Sequence, residues 1–315
     1  MTKKRVTIFA PATIANLGSG YDILGVAIDK PGDTAIAQRT REPGLQFSLL
    51  TKHQDVPSSS RKNVAAHVAS LMLEEFKPPF GIALTLNKLM PIGSGLGSSA
   101  ASSVASVMAI NELLPKKLPR RDLLRFAVEG ERLASGSPHA DNVAPSLLGG
   151  ACIIRSYDPL DVVHIPAGKL PVWVVVHPHV IVRTEEARRL LPKSIPLRTA
   201  IRQWGNVGGM IAGLMNGDPA LIGKCVEDHV AEPARSPLIP AFDFVKQTAL
   251  DHGATGCSIS GSGPSMFAVA SSLAQAKTIG RAMKHAFEHY AGVDSEVYFS
   301  RANAEGASIL QEDNT

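Results

Sequence analysis

Pro91-Ile92-Gly93-Ser94-Gly95-Leu96-Gly97-Ser98-Ser99-Ala100-Ala101 sets three glycines at alternate positions directly ahead of a run of small residues. Upstream, Gly81 to Leu89 (GIALTLNKL) alternates apolar and polar residues as a strand does; downstream, Ser98 to Leu114 reads as a helix with a face of small residues. A glycine loop between a strand and a helix turns its N–H groups towards one point, and the helix N-terminus adds partial positive charge. Ser98 and Ser99 fall at the cap and first turn, where a hydroxyl meets a phosphate oxygen or a metal ion. The stretch is either a phosphate-binding device or a tight glycine turn with an ordinary serine cap. Two commoner phosphate loops do not fit it. A Walker A loop requires a lysine, and none lies between Lys88 and Lys116; a dinucleotide loop requires G-x-G-x-x-G, and Ser98 stands at the third glycine.

Working outward, Val6 to Ala10 reads as a strand ended by Pro11, with further strands at Ile23–Ile28 and Thr34–Arg39. Helical spacing runs through Val64, Val68 and Leu71, and again from Asp122 to Ser135. Strands follow at 151–154, 162–165 and 172–177. From Thr184 the pattern is mainly helical (184–191, 197–214, 240–251), then strand 254–260, turn 261–264, strand 265–270, helix 273–290, strand 295–299 and a polar tail. A strand-rich first half and a helix-rich second half predict an α+β protein divided near Pro166, into residues 1–166 and 167–315.

At 315 residues and 44% hydrophobic content, the chain is long enough for about two domains with substantial cores. A net charge of +4 suits an anionic ligand such as a nucleotide and is too weak to argue for nucleic acid. Cys152, Cys225 and Cys257 are odd in number and widely spaced, which predicts a reducing, cytoplasmic setting and no disulfide scaffold. No signal-peptide core precedes Pro11. Residues 89–111 lack charge, but six serines, three glycines and a proline make a loop and buried helix the expectation over a membrane span.

Two other polar clusters stand out. Asn16 and Asp22 flank Gly18 and Gly20, a combination that holds an ammonium and a hydroxyl or forms an Asx-turn. Ser137-Pro138-His139-Ala140-Asp141-Asn142 packs His139, Asp141 and Asn142 into four residues after a helix, either as a site or as the cap of the next helix.

The glycine-loop motif resembles the central motif of the GHMP kinases. Pro11-Ala-Thr-Ile-Ala-Asn16-Leu-Gly18-Ser-Gly20-Tyr21-Asp22 resembles the N-terminal motif of the branch that acts on an amino-acid alcohol, and Ser260-Gly261-Ser262-Gly263-Pro264-Ser265 resembles the third motif. They come in family order across about residues 5–300. Ile14 and Tyr21 depart from the usual Ser and Phe. The resemblance implies an N-terminal domain like ribosomal protein S5 domain 2 and a ferredoxin-like C-terminal domain. It implies ATP bound across residues 91–101 with Asn63 and Lys88 on the nucleotide side, and Mg²⁺ held by Ser99 and Glu131. L-Homoserine is the implied acceptor, contacted by Asn16, Asp22, His139, Asn142, Arg188, Arg235 and Gly261, with Asp141 and Asn142 at the reacting hydroxyl. The product implied is O-phospho-L-homoserine, on the route to threonine. Alternatives are a mevalonate-like acceptor or a catalytically silent nucleotide sensor. The implied partners are small molecules, with no nucleic acid and no membrane, and a homodimer is possible.

Overall fold

The computed structural model describes residues 4–53 and 55–313. Its first sheet has seven strands. Strands β1 (Arg5–Ala15), β2 (Leu24–Thr40), β3 (Leu45–Thr51) and β4 (Gly81–Lys88) are joined by β5 (Ala151–Tyr157), β6 (Leu160–Ile165) and β11 (Ser308–Asp313). The order is β11-β1-β2-β4-β3, with β5 continuing from the other end of β2 and β6 beyond it. Helices α1 (Val64–Phe76), α2 (Ser98–Leu113), α3 (Leu124–Ser135) and α4 (Val143–Leu148) cover it.

Two strand expectations are corrected. Pro11 does not end β1, because the register shifts between Pro11 and Thr13, and at such an irregularity a proline costs no ladder bond. The strands expected at 23–28 and 34–39 are one strand, β2, which starts at Leu24 and pairs with β5 through Leu24–Val26 and with β4 through Thr34–Thr40. Two strands were not foreseen. β3 lies parallel to β4, and the polar tail contains β11, which returns to the first sheet beside β1.

The second sheet contains β7 (Val172–Pro178), β8 (Gly256–Ile259), β9 (Met266–Ala270) and β10 (Ser295–Ser300), all antiparallel in the order β10-β7-β9-β8. This is the ferredoxin-like arrangement. All seven residues of β7 are buried, as expected of a strand covered on both faces. Val172, Val174 and Val176 face α9 (Phe242–Asp251) and α10 (Leu273–Ala291). Trp173 and Val175 point the opposite way, into a core shared with α6 (Leu197–Asn216), α7 (Pro219–Cys225) and the first sheet. Short helices α5 (Thr184–Arg189) and α8 (Glu232–Arg235) complete the second half. Among the described residues no helix is long and apolar enough to cross a membrane.

α2 is the central helix, buried on nearly every side. Its serines and alanines allow close packing from all directions. Gly130 on α3 shows how close, since a Cβ there would stand 2.0 Å from Ser103 Oγ of α2. That approach brings the next residue, Glu131, beside the first turn of α2.

Candidate active site

A cleft of about 790 Å³ is lined by loops and helix ends from both halves of the chain. Its floor is the loop 91–97 and the N-terminus of α2. Gly93, Gly95 and Gly97 all take left-handed backbone angles, which the intervening Ser94 and Leu96 do not share. Gly97 caps α2 without a side chain, leaving the first-turn N–H groups to the cleft. A Cβ on Gly97 would lie 2.2 Å from Thr13 Oγ1 and 2.7 Å from Asn142 Oδ1. Thr13 itself donates to Asn142 Oδ1 at 2.6 Å, which fixes the orientation of the Asn142 amide.

Gly93, Ser94, Gly95, Gly97, Ser98, Ser99, Asn16, Asp22, Asn63, Lys88, Glu131, His139, Asp141, Asn142, Arg188, Arg235 and Gly261 all line this one cleft. Pro91 does not, and Leu96, Ala100 and Ala101 are buried in the core behind the loop, so these four shape the loop without facing a ligand. Residues that the sequence does not mark as site residues also line it: Val56, Pro57, Val64 and Leu86 add apolar surface, and Ile181, Arg183 and Thr184 come from the second half. Val64, Leu86 and Thr184 sit on a helix start, a strand and a second helix start that the sequence does show, but nothing there marks them as facing a ligand; the others lie in loops without periodicity or motif.

Three expected ligand residues have other work. Lys88 is a buried brace. Its ammonium pairs with Asp33, and it donates to Ser98 O at 2.6 Å and Ser102 Oγ at 3.0 Å, which occupies all three of its protons. Asp33 Oδ1 accepts from the N–H groups of Leu89 (2.9 Å) and Met90 (3.1 Å). One ion pair therefore anchors both ends of the glycine loop. Burial pushes the Lys88 ammonium below its usual range, and Asp33 opposes this. Asp33→Ala should leave that charge unpaired and cost about 3 kcal/mol; urea unfolding checks it, and an unchanged midpoint would contradict the brace. Asn63 caps α1, its Oδ1 accepting from Ala65 N at 3.0 Å and its Nδ2 donating to Pro57 O at 2.8 Å. Asn16 accepts from Asp22 N at 3.0 Å and donates to Gly261 O at 2.9 Å, so it ties the N-terminal loop to the second half.

Two acidic groups have no such employment. Glu131 Oε1 and Asp141 Oδ1 are buried with no hydrogen-bond partner among the described residues. Burial raises the Glu131 carboxyl above its usual range, against a hydrogen bond with Ser99 and the nearby Lys88 charge. Asp141 is pushed up to about 8, by burial first and then by the charges of Asp22 and Glu131, with Arg188 opposing. An orphaned buried carboxylate is costly, and such groups in a cleft mark function. Burial also holds His139 below its usual range, with Asp22 opposing.

At the other end, Arg188 grips Asp22 in a fork, at 3.0 and 2.9 Å. Arg235, buried on α8, donates to Gly261 O at 3.0 Å and Ala187 O at 3.3 Å. Both guanidiniums lie over the Tyr21 ring, at 5.5 and 5.1 Å from its centre. The Phe-to-Tyr departure thus keeps the aromatic platform.

A glycine loop on a helix N-terminus, two buried acids each with an unpartnered oxygen among the described residues, and a guanidinium pair share one cleft, an arrangement that suits a phosphotransferase acting on a small molecule. The model for the GHMP kinases N terminal domain matches residues 63–150, and that for the GHMP kinases C terminal region matches residues 210–289. The homoserine kinases of Chlorobaculum tepidum and Chlorobium phaeobacteroides are each 46% identical to the chain; 98% of this chain is covered in both, with 98% and 100% of theirs. The crystal structure of homoserine kinase from Cytophaga hutchinsonii superposes with a TM-score of 0.92 at 50% identity, covering 98% of both chains. The chain belongs to the homoserine kinase family of the GHMP kinases.

Proposed function

We propose that the protein transfers the γ-phosphoryl group of ATP to the side-chain hydroxyl of L-homoserine, giving O-phospho-L-homoserine and ADP. The observation that carries this is the meeting, in one cleft, of the anion loop with the Arg188, Arg235 and Asp22 cluster. The first suits a nucleotide phosphate and the second an α-amino acid. In the transfer, the bond between the γ-phosphorus and the bridging β–γ oxygen breaks, leaving ADP; a bond forms between the acceptor hydroxyl oxygen and that phosphorus, and the hydroxyl proton passes to the Asp141 carboxylate or directly to the transferred phosphoryl group. Little covalent work falls to the protein, so positioning and charge neutralisation dominate.

The N–H groups of the loop and of the first turn of α2 cradle the phosphates. Val56, Val64 and Leu86 offer an apolar wall to the base. Arg188 and Arg235 take the acceptor carboxylate, Asp22 takes its ammonium, and Asp141 and Asn142 lie at its hydroxyl. The mevalonate-like alternative leaves Asp22 without a cationic partner on the acceptor. The silent-sensor alternative leaves Glu131 and Asp141 without a reason to be buried.

Ser99 and Glu131 fit a hard divalent cation. Both supply oxygen ligands, Ser99 hydrogen-bonds the Glu131 carboxyl, and Glu131 Oε1 is without a partner among the described residues. Two protein oxygens suffice for Mg²⁺, which keeps waters and binds the nucleotide's own phosphates. Bound there, it would neutralise charge on the transferring group. Ser99→Ala and Glu131→Gln should each raise the Mg²⁺ concentration for half-maximal rate by about 10-fold, with the homoserine KM little changed. An unshifted Mg²⁺ titration in both variants would remove the assignment. The activity itself is tested by ³¹P NMR of ATP and L-homoserine with the purified protein. The expected result is a new phosphomonoester resonance growing with ADP, and its absence would overturn the reading.

A further inference from the structure

The acceptor end of the cleft is closed on itself. Arg188 Nη1 and Nη2 meet Asp22 Oδ2 and Oδ1 at 3.0 and 2.9 Å, a parallel fork with both side chains partly buried. His139 Nδ1 stands 3.4 Å from Arg188 Nη2 and 3.8 Å from Asp22 Oδ1. The backbone that carries Asp22 is held independently of this pair. Its N–H is bound by Asn16, its carbonyl accepts from Tyr157 Oη at 2.8 Å, and its φ is +58°. Arg188 is likewise placed by its own short helix, on which Ala187 is buried and accepts from Arg235. The two side chains can therefore part without either anchor moving.

An α-amino acid carries these same two charges on one carbon. When it enters, its carboxylate takes the Arg188 fork and its ammonium takes Asp22, so one ion pair becomes two and no charge is left unmatched. A ligand with only the carboxylate would strip Arg188 from Asp22 and leave Asp22 bare in a cleft that already holds Asp141 and Glu131. A ligand with only the ammonium would free Arg188 beside Arg235. Each half-ligand thus creates an uncompensated, partly buried charge, a penalty that discriminates more strongly than a missing contact alone.

We propose that the Asp22–Arg188 pair is an internal stand-in for the amino-acid zwitterion, and that breaking it is what rejects acceptors carrying only one of the two charges. The proposal rests on the amino-acid acceptor of the reading above.

The test compares kcat/KM for three acceptors with the same terminal hydroxyl: L-homoserine, 4-hydroxybutyrate, which lacks the ammonium, and 3-aminopropan-1-ol, which lacks the carboxylate. In Asp22→Asn, Arg188 is no longer engaged by a charge. The value for 4-hydroxybutyrate should rise in absolute terms while that for homoserine falls, moving their ratio by about 100-fold. In Arg188→Gln the gain should pass to 3-aminopropan-1-ol. Either variant alone decides the matter if the other does not fold. In the wild-type protein, acetate and methylammonium at constant ionic strength should inhibit synergistically, because together they complete the exchange; strict independence of the two inhibitors would count against it. A loss by one common factor on all three acceptors in the variants overturns the stand-in while leaving homoserine phosphorylation intact. A wild-type protein inactive on all three overturns the acceptor reading and this proposal together.

Discussion

Asparagine at position 141 is expected to lower kcat by about 1,000-fold, within the range that a positioned proton acceptor contributes, while leaving the ATP KM within a few-fold of wild type. The side chain is nearly fully buried, and its backbone is pinned. A Cβ on Gly25 of β2 would stand 1.8 Å from Asp141 O, so the segment before α4 packs directly on the strand. Asparagine preserves the volume and removes the charge. With the carboxyl pushed up to about 8 in the empty cleft, only about a tenth of molecules are ionised there at pH 7. If the carboxylate is the working form, wild-type kcat/KM should climb with pH through a midpoint near 8 and level off above about 9, and the variant should lose that limb. Stability gives an independent check. The folded-state value lies above the 3.8 of the unfolded chain, so the folded protein binds the proton more tightly. The contribution of this group is therefore complete below about pH 4, declines as pH rises, and is gone once pH passes about 8. Asp141→Asn mimics the neutral form, so its stability should overtake that of wild type as pH rises from 5 to 9. Parallel pH–stability curves, or a variant with wild-type turnover, would remove Asp141 from the reacting centre.

Much of this site is legible in the sequence because its parts are local. The glycine loop, the helix after it and the His139–Asn142 cluster each announce themselves within a dozen residues. What stays hidden is pairing across distance. Nothing in a single sequence joins Asp33 to Lys88, so Lys88 on its own reads as a surface group, and by resemblance as a nucleotide-side residue, but not as the buried brace that its pairing makes it. The same holds for Arg188 and Asp22, each marked by the resemblance as a ligand residue but not as partners of each other. In the fold, β2 reads as two strands because Pro31-Gly32 looks like punctuation, yet Gly32 pairs across to Pro11 and the strand continues. β11 escapes notice because much of its surface faces solvent, whereas β3 did carry a signal, Leu45, Phe47 and Leu49 alternating with Gln46 and Ser48. Backbone pairing at a sheet edge places them. α7 did carry a signal, Asp218 as N-cap with Pro219 at the first helical position.

Gly95→Val should raise the ATP Kd by more than about 1,000-fold, and the structure changes the reason for expecting it. Sequence alone suggests that a branched side chain would obstruct the phosphates. In the structure, a Cβ at Gly95 points at the second half of the chain, 2.4 Å from Ser260 O and 2.8 Å from Gly263 O. Neither carbonyl can retreat cheaply. Ser260 Oγ donates back to Gly95 O at 2.7 Å, Gly263 N donates to Ser260 O at 2.9 Å, and Ser265 anchors the far side of the turn to Ser94 O through its hydroxyl at 2.6 Å. Valine therefore separates the loop from the turn 261–264, and with it Gly261, whose carbonyl holds both Asn16 and Arg235. Homoserine binding should fail along with ATP binding, an outcome that simple obstruction of the phosphates does not require. Because the collision begins at the first side-chain atom, Gly95→Ala should be nearly as damaging. Gly136→Ala supplies the control. It also has a left-handed backbone, with φ +81° against +76° at Gly95, but nothing lies within 4 Å of its added Cβ. That variant should show only the strain of the angle, about 1 kcal/mol, with normal binding of both substrates. Calorimetric titration of each variant with ATP, and of each ATP complex with homoserine, separates the cases. If Gly95→Ala binds both substrates as tightly as Gly136→Ala does, the clearance between the two halves is not what position 95 protects.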